Sequence, residues 1–541
     1  MTKYLIPLTA AAIATGCLPA PDHPFEADAV VVGKVVAEDG SPAANVFVTS
    51  WPADSAYAVS VVTDESGAFA APLIRPESYA LAAHGRRIRR ASAQGRGKEG
   101  VSIRVAKVDP EIEVPSSRYL ALLPDGETKR KFILDCTGCH QFDRQIVDLE
   151  GKRRPRESWI ERINQMIAFS GAPSQFPVMS PSRNAEETAD WLVAHLTGDD
   201  LRHPERTRHP ERSEGPLGTS RLGMTGARAT ITEYPVPEQG DLPHDLAIDG
   251  RGHVIVTGMF THLMYDLDPE TGEFGTVPIP VEFANPRAVE IDRDGVWWAL
   301  LGFPQMIARY DPNSRAWSSF EIGMYPHSIV PAVAGKVWFN GHFTKDPELI
   351  GSLDIESGMV ETFEVPVPSM PDGGTNIPYG LRVGPDGALW GTELMGNRLI
   401  RFRPDDKGFS VYPLPTPFSG PRRPDVATDG TVWIPEYANN RLAVFDPTAE
   451  TFTEFELPIR DSLPYVVRYH PRTGHIWVAT AAADAVFRFD RQHREFTTYL
   501  LPTPRSLIRH MAVDPSSDGV WVVYGNSPSV TPKIARIVPW P

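Results

Sequence analysis

Cysteine is nearly absent from this chain: three stand in 541 residues, at positions 17, 136 and 139. So few exclude a disulfide framework, and a four-cysteine zinc ribbon is out of reach. Long apolar runs are missing too, since nothing beyond the first residues approaches the ~20 apolar residues of a membrane-spanning helix. Positive charge is outnumbered, with 53 Lys and Arg against 68 Asp and Glu, a formal net charge of −15. A nucleic-acid binder wants a basic face, so that class is excluded. Turn chemistry is abundant instead. Fifty-three prolines and 43 glycines are more than a helical enzyme carries and suit a mostly β chain.

The chain opens "MTKYLIPLTAAAIATGC", in which Lys3 precedes an apolar run from Tyr4 to Ile13 and Ala14-Thr15-Gly16 stand before Cys17. This reads as an export signal, too short to span a bilayer. Small residues directly before a cysteine resemble the bacterial lipobox. That resemblance implies a lipoprotein signal peptide over 1–17 and lipid on Cys17. With Leu18 following, it further implies anchoring at the periplasmic face of the outer membrane.

With Cys17 lipidated, only Cys136 and Cys139 remain, in "LDCTGCHQFD" (134–143). A mixed Cys/His zinc site would need two well-placed histidines. A thioredoxin-type dithiol would need a strand-to-helix junction that the flanking sequence does not offer. On a helix, Cys136, Cys139 and His140 fall at i, i+3 and i+4, so two thioethers can hold a porphyrin edge while imidazole reaches iron. The motif is read as the attachment site of one covalent haem c, with Cys136 and Cys139 binding the cofactor and His140 ligating iron. Next, "ESWIERINQMIAFSGAP" places Trp159, Ile163, Met166, Ile167 and Ser170 on one helical stripe, and "AEETADWLVAHL" (185–196) reads as an amphipathic helix opened by the Ser182/Asn184 cap region. These parts resemble a small monohaem cytochrome c over 118–198. Two methionines compete as the sixth ligand. Met166 has a W-x6-M spacing that resembles a class of small bacterial cytochromes; Met179, in "QFPVMSP", has the loop position of mitochondrial-type ones.

Residues 28–107 alternate apolar and polar in short strands, with turns at Asp39-Gly40 and Ser66-Gly67. The G-x-V and D-G-x-P pattern, followed by Thr63, Asp64, Gly67 and Phe69, resembles the carboxypeptidase regulatory-like (transthyretin-like) β-sandwich, a spacer or contact module to which no chemistry is assigned. Residues 199–229 carry the near-repeat Arg-His-Pro-Glu-Arg and few apolar side chains, the composition of a disordered linker.

From 230 to 541 the chain repeats itself. "PHDLAIDGRGHVIV", "PRAVEIDRDGVWWA", "PHSIVPAVAGKVWF", "PYGLRVGPDGALWG", "PRRPDVATDGTVWI", "PYVVRYHPRTGHIWV" and "RHMAVDPSSDGVWVV" start at 243, 286, 326, 378, 421, 464 and 509, between 40 and 52 residues apart. Four short strands per unit at that period predict a seven-bladed β-propeller. The strand "ITEYPVP" (231–237) precedes the first unit and the last unit lacks its equivalent, so the ends are expected to pair and close the ring. Trp298, Trp338, Trp390, Trp433, Trp477 and Trp521 recur at one strand position and are expected between blades.

These repeats, with "GPDGALWGTELMGNRLIRF", resemble the virginiamycin B lyase (streptogramin lyase) family. The resemblance implies the propeller fold and a Mg²⁺-assisted opening of a cyclic depsipeptide lactone, using histidines after the proline in the last two blades and two glutamates. His510 matches the final histidine. Tyr465 stands where the other belongs, Ile508 replaces the first acid, and Val523/Tyr524 occupy the region of the second. His244 adjoins His510 across the closure, with Leu242 at its acid-equivalent position. The residues that follow each repeat's proline are His244, Arg287, His327, Tyr379, Arg422, Tyr465 and His510, a carboxylate-free ring at one mouth of the channel. Arg287, Tyr379, Arg422 and Tyr465 are expected to form an anion-friendly ligand funnel in which His244, His327 and His510 transfer protons near neutral pH or ligate metal; the opposing expectation is that the ring simply plugs the channel. Three functions follow: an exported oxidoreductase-type electron carrier working with a redox partner or small substrate, a lactone lyase with an accessory haem, or a ligand-binding scaffold.

Overall fold

The computed structural model describes residues 30–540 apart from 52–56, 74–78, 86–87, 96–99, 108–113, 139, 150–151, 172–179, 197–227, 334, 345–346, 372 and 527–529. Nearly all of the expected linker therefore falls outside the described residues.

Six four-stranded antiparallel sheets, over 243–278, 286–321, 326–364, 378–413, 425–456 and 464–500, stand as propeller blades. Their first strands touch in sequence, and Pro243–Ile248 touches Ile508–Val513 of the last repeat, so the ring is closed. The closing strand Ala229–Pro235 lies antiparallel on Val530–Pro539, with Ala229 opposite Pro539. Seven blades are expected from the repeats and six are found. The strands of the seventh repeat, Ile508–Val513, Val520–Asn526 and Val530–Pro539, pair in order with the closing strand but do not stand as a separate four-stranded sheet. Ala229–Pro235 also pairs with Ala58–Val62, which merges the set into one eleven-stranded sheet with the N-terminal strands. The physical reason is the edge: an outermost strand of a blade presents unpaired backbone groups, and here another part of the chain satisfies them.

The repeated tryptophans sit where their periodicity places them. Trp298, Trp338, Trp390, Trp433, Trp477 and Trp521 are all buried, each in an apolar cluster of the propeller. At roughly 1.5–3 kcal/mol per large apolar side chain removed from water, these repeats supply much of the ring's cohesion.

The N-terminal strands run from Val30–Ala37 to Val101–Lys107, with those two parallel and adjacent. Their core is Val31, Val35, Val48, Val61, Phe69, Leu81, Ile103 and neighbours. Both expected turns form. Asp39 Oδ1 accepts from the Ser41 amide, and Asp64 Oδ1 accepts from the Ser66 and Ala68 amides at 2.9 Å. Gly67 has φ +74°, and a Cβ there would meet the Val35 carbonyl at 2.4 Å, so glycine is required.

Between the strand domains lie helices Ser116–Leu120, Glu127–Cys136, Arg144–Val147, Arg156–Gly171 and Ala185–His195. Asn184 caps the last, accepting from the amides of Glu186 and Glu187 at 2.9 and 3.2 Å. No helix among the described residues is long and apolar enough to cross a membrane. The helices do not keep a core to themselves: Phe132, Ile133, Leu134, Phe142, Trp159 and Leu192 share one cluster with Tyr379, Leu394, Tyr437, Leu463, Tyr465 and Ala482 of the propeller. The helical segment is packed onto one mouth of the ring.

Candidate functional site

Helix Glu127–Cys136 ends at the motif, where the Thr137 backbone leaves helical geometry and its hydroxyl donates to the Ile133 carbonyl at 2.8 Å. Cys136 is half-buried, and burial pushes its thiol up to about 12. A reactive dithiol needs the opposite shift. Cys139 lies outside the described residues, as do Cys17 and Met179. His140 Nδ1 lies 3.1 Å from the Gln141 carbonyl oxygen. A carbonyl only accepts, so Nδ1 carries the proton and Nε2 keeps its lone pair for a metal. Thiol sulfur, a half-buried imidazole of that tautomer and an aromatic wall make a donor set that fits haem c. In that wall, the Phe132 ring lies 5.2 Å from Phe142 and 5.4 Å from Trp191. Met166 is half-buried on Arg156–Gly171, the helix that buries Trp159 and Ile163. Asp135, next to the motif, accepts from the Ser180 amide at 2.9 Å and pairs with Arg183 at 2.5 Å, tying the start of the last helix to the loop.

The motif faces the propeller. Tyr437 donates to the Thr137 carbonyl at 2.9 Å, and the two hydroxyl oxygens lie 3.0 Å apart. Gln141 Nε2 donates to the carbonyls of Ala481 and Ser506 at 2.7 and 3.1 Å. The Ser117 amide donates to the Ala482 carbonyl, and Lys129 reaches the Asp461 carboxylate at 2.7 Å. A Cβ on Gly138 would sit 3.5 Å from Arg422 Nη2.

A register shift at the start of the first strands of most repeats, as between Pro243 and Leu246 or Pro378 and Leu381, turns the residue after the proline toward the mouth. All seven of these residues are buried, none more than 7% exposed. The expected open funnel of Arg287, Tyr379, Arg422 and Tyr465 is therefore closed. Tyr379 and Tyr465 share a hydrogen bond of 2.5 Å, Arg422 donates to the Tyr379 hydroxyl, and Arg287 Nε donates to Asn285 at 2.9 Å. The histidines are not poised near neutrality either. Burial drives His244 down to about 4 and holds His327 and His510 well below the ordinary value, with nearby cations adding to it. They are neutral at pH 7, and each has a partner: His244 Nδ1 meets Asp245 at 2.8 Å, His327 Nδ1 donates to the Tyr379 carbonyl at 2.7 Å, and His510 Nε2 lies 2.7 Å from Arg468. Among the described residues no group of three or more His, Cys, Asp or Glu could hold a metal ion.

Behind the ring the channel is filled by charge. Arg423 pairs with Asp245 at 2.7 Å, and Arg382 lies 2.5 Å from Glu290 and 3.7 Å from Asp425. Burial opposes it, yet Arg423, His510 and His244 hold Asp245 well below the usual carboxylate range. The space left is about 10 Å³, room for one water. Sequence reasoning missed this network, although Glu290, Arg382, Asp425 and Arg468 all stand four residues after their repeat's proline. Charges of alternating sign at one inward repeat position were the available signal. His342, stacked on His327 with centroids 4.2 Å apart, was missed as well and carries no repeat signal.

The lyase positions are equally occupied. Tyr524, in the region of the second acid, donates to Glu233 of the closing strand, which Lys533 pairs at 3.0 Å. Ile508 is fully buried. Glu393 pairs with Arg398 at 2.6 Å and Glu436 accepts from Asn439 at 2.6 Å.

Comparison with known proteins bears on the propeller. The virginiamycin B lyase family model matches residues 372–537. Virginiamycin B lyase from Staphylococcus aureus aligns at 19% identity over 57% of this chain and 98% of its own, with a TM-score of 0.50. A streptogramin B lyase structure aligns at 19% identity over 57% and 97%, with a TM-score of 0.51. A catalytically inactive variant of the Staphylococcus aureus lyase with quinupristin aligns at 19% identity over 57% and 98%, with a TM-score of 0.50. No curated protein matches the chain. At such identity the structural likeness is one of fold: the chain carries a virginiamycin B lyase-like β-propeller.

Proposed function

We propose that this chain is an exported, lipid-anchored electron carrier in which one haem c is held by a cytochrome-like helical segment seated on the propeller. Cys136 and Cys139 would hold the porphyrin and His140 the iron, with Met166 or Met179 as the sixth ligand. When bound, haem supplies one-electron exchange with a redox partner. Around it, Gln141 fixes the His140 tautomer, Asp135 anchors the loop to the last helix, and Phe132, Phe142 and Trp159 keep water from the attachment side. The N-terminal strands, with their carboxypeptidase regulatory-like pattern, extend the closing sheet and serve as a spacer. The observation that carries the reading is the position of the motif: a helix end bearing thiol and free imidazole Nε2, hydrogen-bonded to Tyr437, Ala481 and Ser506 of the propeller.

A lactone lyase is the weaker reading, with or without Mg²⁺. The helical segment crosses the mouth at which such a substrate would enter, and Tyr465 is engaged with Tyr379 where a histidine is expected. Protein matured in a host competent in cytochrome c assembly tests both readings. A reducible haem band with no opening of quinupristin supports the carrier. Opening of quinupristin by colourless protein would reverse the order.

A further inference from the structure

The small space in the central channel has a lining short of negative charge. It measures about 10 Å³, room for one water-sized particle, and its charged walls are Asp245, Glu290, Arg382, Arg423 and Arg468. Three cations thus face two carboxylates. Both carboxylates are already committed, Asp245 to Arg423 Nη1 at 2.7 Å and Glu290 to Arg382 at 2.5 Å. Asp425 stands outside the lining, 3.7 Å from Arg382, and accepts from the Tyr469 amide at 2.8 Å. Arg423 is 4% exposed, and its Nε and Nη2 have no hydrogen-bond partner among the described residues. Arg468, 6% exposed, turns to neutral groups: Nη1 donates to the Val467 carbonyl at 2.8 Å, and Nη2 lies 2.7 Å from His510, which burial holds uncharged. Burial, then Arg382, pulls the Arg468 guanidinium down to about 9 against the opposing effect of Asp425 and Glu290. A guanidinium brought that low stands in a positive potential. Of the rest of the wall only Ser328 has a polar side chain, and its hydroxyl donates to the Tyr379 carbonyl at 2.7 Å.

We propose that this space binds one small monovalent anion, chloride first among them, gripped by Arg423 Nε and Nη2 and attracted by Arg468, and that the anion ties the inner strands of the ring together. One negative charge brings the lining to neutrality. Buried like charges are screened little by salt outside, so a counter-ion within the site relieves their repulsion. Water fits the space and leaves the charge uncompensated, while a metal cation would meet three guanidinium groups. Asp245, Glu290, Arg382 and Arg468 lie on the first strands of four different blades, so one ion bears on all four. Entry is from the end of the channel away from the helices: the ring residues at the helical mouth are buried, whereas the Glu290 and Arg382 side chains are 28% and 20% exposed. The inference stands independently of the haem reading.

The test uses the full-length protein at fixed ionic strength, with chloride or bromide exchanged against gluconate, an anion too large for the space. An ion that binds only the folded state slows exchange of the slowest amides in Pro243–Ile248 and Pro464–Tyr469 by the factor 1 + [halide]/Kd, which approaches tenfold for each tenfold rise in halide above Kd. Chloride and bromide should both slow them and gluconate should not; equal rates in the three salts overturn the proposal. Anomalous diffraction from bromide-soaked crystals should show one peak within hydrogen-bond reach of Arg423 Nε. A water at that point, with bromide elsewhere as an adventitious ion only, overturns the proposal. Arg468→Gln should abolish the halide dependence, and a folded variant that keeps it in full overturns the proposal too. Should that variant fail to fold, the bromide peak in the wild-type protein decides.

Discussion

Removing the Lys129 ammonium should loosen the helical segment from the propeller. Lys129 and Asp461 are joined at 2.7 Å with side chains 4% and 9% exposed. Loss of one partner from a buried ion pair costs about 3–5 kcal/mol, because the survivor is left uncompensated. Here Arg460 Nε stands 3.5 Å from Asp461 and takes over part of the task, so Lys129→Ala is expected at about 2–3 kcal/mol. The assay is native-state hydrogen exchange of helix Glu127–Cys136. At ~1.4 kcal/mol per tenfold, its slowest amides should exchange roughly 30- to 150-fold faster, while the Trp-bearing strands of the far blades keep their rates. Arg144→Ala serves as control, since Arg144 is 74% exposed and its contact with Asp148 spans 3.4 Å; surface pairs of that kind are worth under about 1 kcal/mol. Asp461→Asn in the Lys129→Ala background should restore part of the loss. A Lys129→Ala effect no larger than the control, or uniform acceleration across the chain, would refute the argument that this pair seats the helices on the ring.

Other outcomes follow from single contacts. Gly380→Ala places a Cβ 2.1 Å from Pro424 Cδ and 2.9 Å from the Arg422 carbonyl; backbone yields little, so a loss of at least ~2 kcal/mol is expected in chemical denaturation. Burial, then Glu454, raises the Glu436 carboxyl from 4.5 to about 8, so the folded state holds its proton longer than the unfolded chain does. That contribution is fully present below pH 4.5 and lost as pH rises toward 8. Glu436→Gln should flatten the decline, and parallel stability curves for the two proteins would contradict it. Of Met166→Ala and Met179→Ala, the one that removes the axial sulfur should change the visible spectrum of the haem protein and lower its potential; two unchanged spectra would exclude both methionines as ligands.

The propeller was legible because its physics is periodic. A proline, a Gly turn and a Trp returning at a steady interval need only local pairing to become strands, and the buried tryptophans and the pairing of Ala229–Pro235 with Val530–Pro539 follow from that pattern. Local rules also placed the Asn184 cap and the turns at Asp39 and Asp64. What escaped is non-local. Nothing in the sequence marks Ala58–Val62 as the strand that absorbs the outer edge of the last repeat, since any exposed edge can accept any short strand. The closure of the mouth depends on contacts such as Thr137 with Tyr437 and Gln141 with Ala481, about 300 or more residues apart and outside any repeat. His244, His327 and His510 looked like proton-transfer groups because the sequence shows residue type and not burial, and burial decides their charge.

The most direct measurement is the intact and peptide mass of chain matured in a host that assembles cytochromes c. The account predicts one haem added per chain, localised to the peptide that contains Cys136, Cys139 and His140. Unmodified sulfurs on that peptide, with no iron in the purified protein, would contradict it.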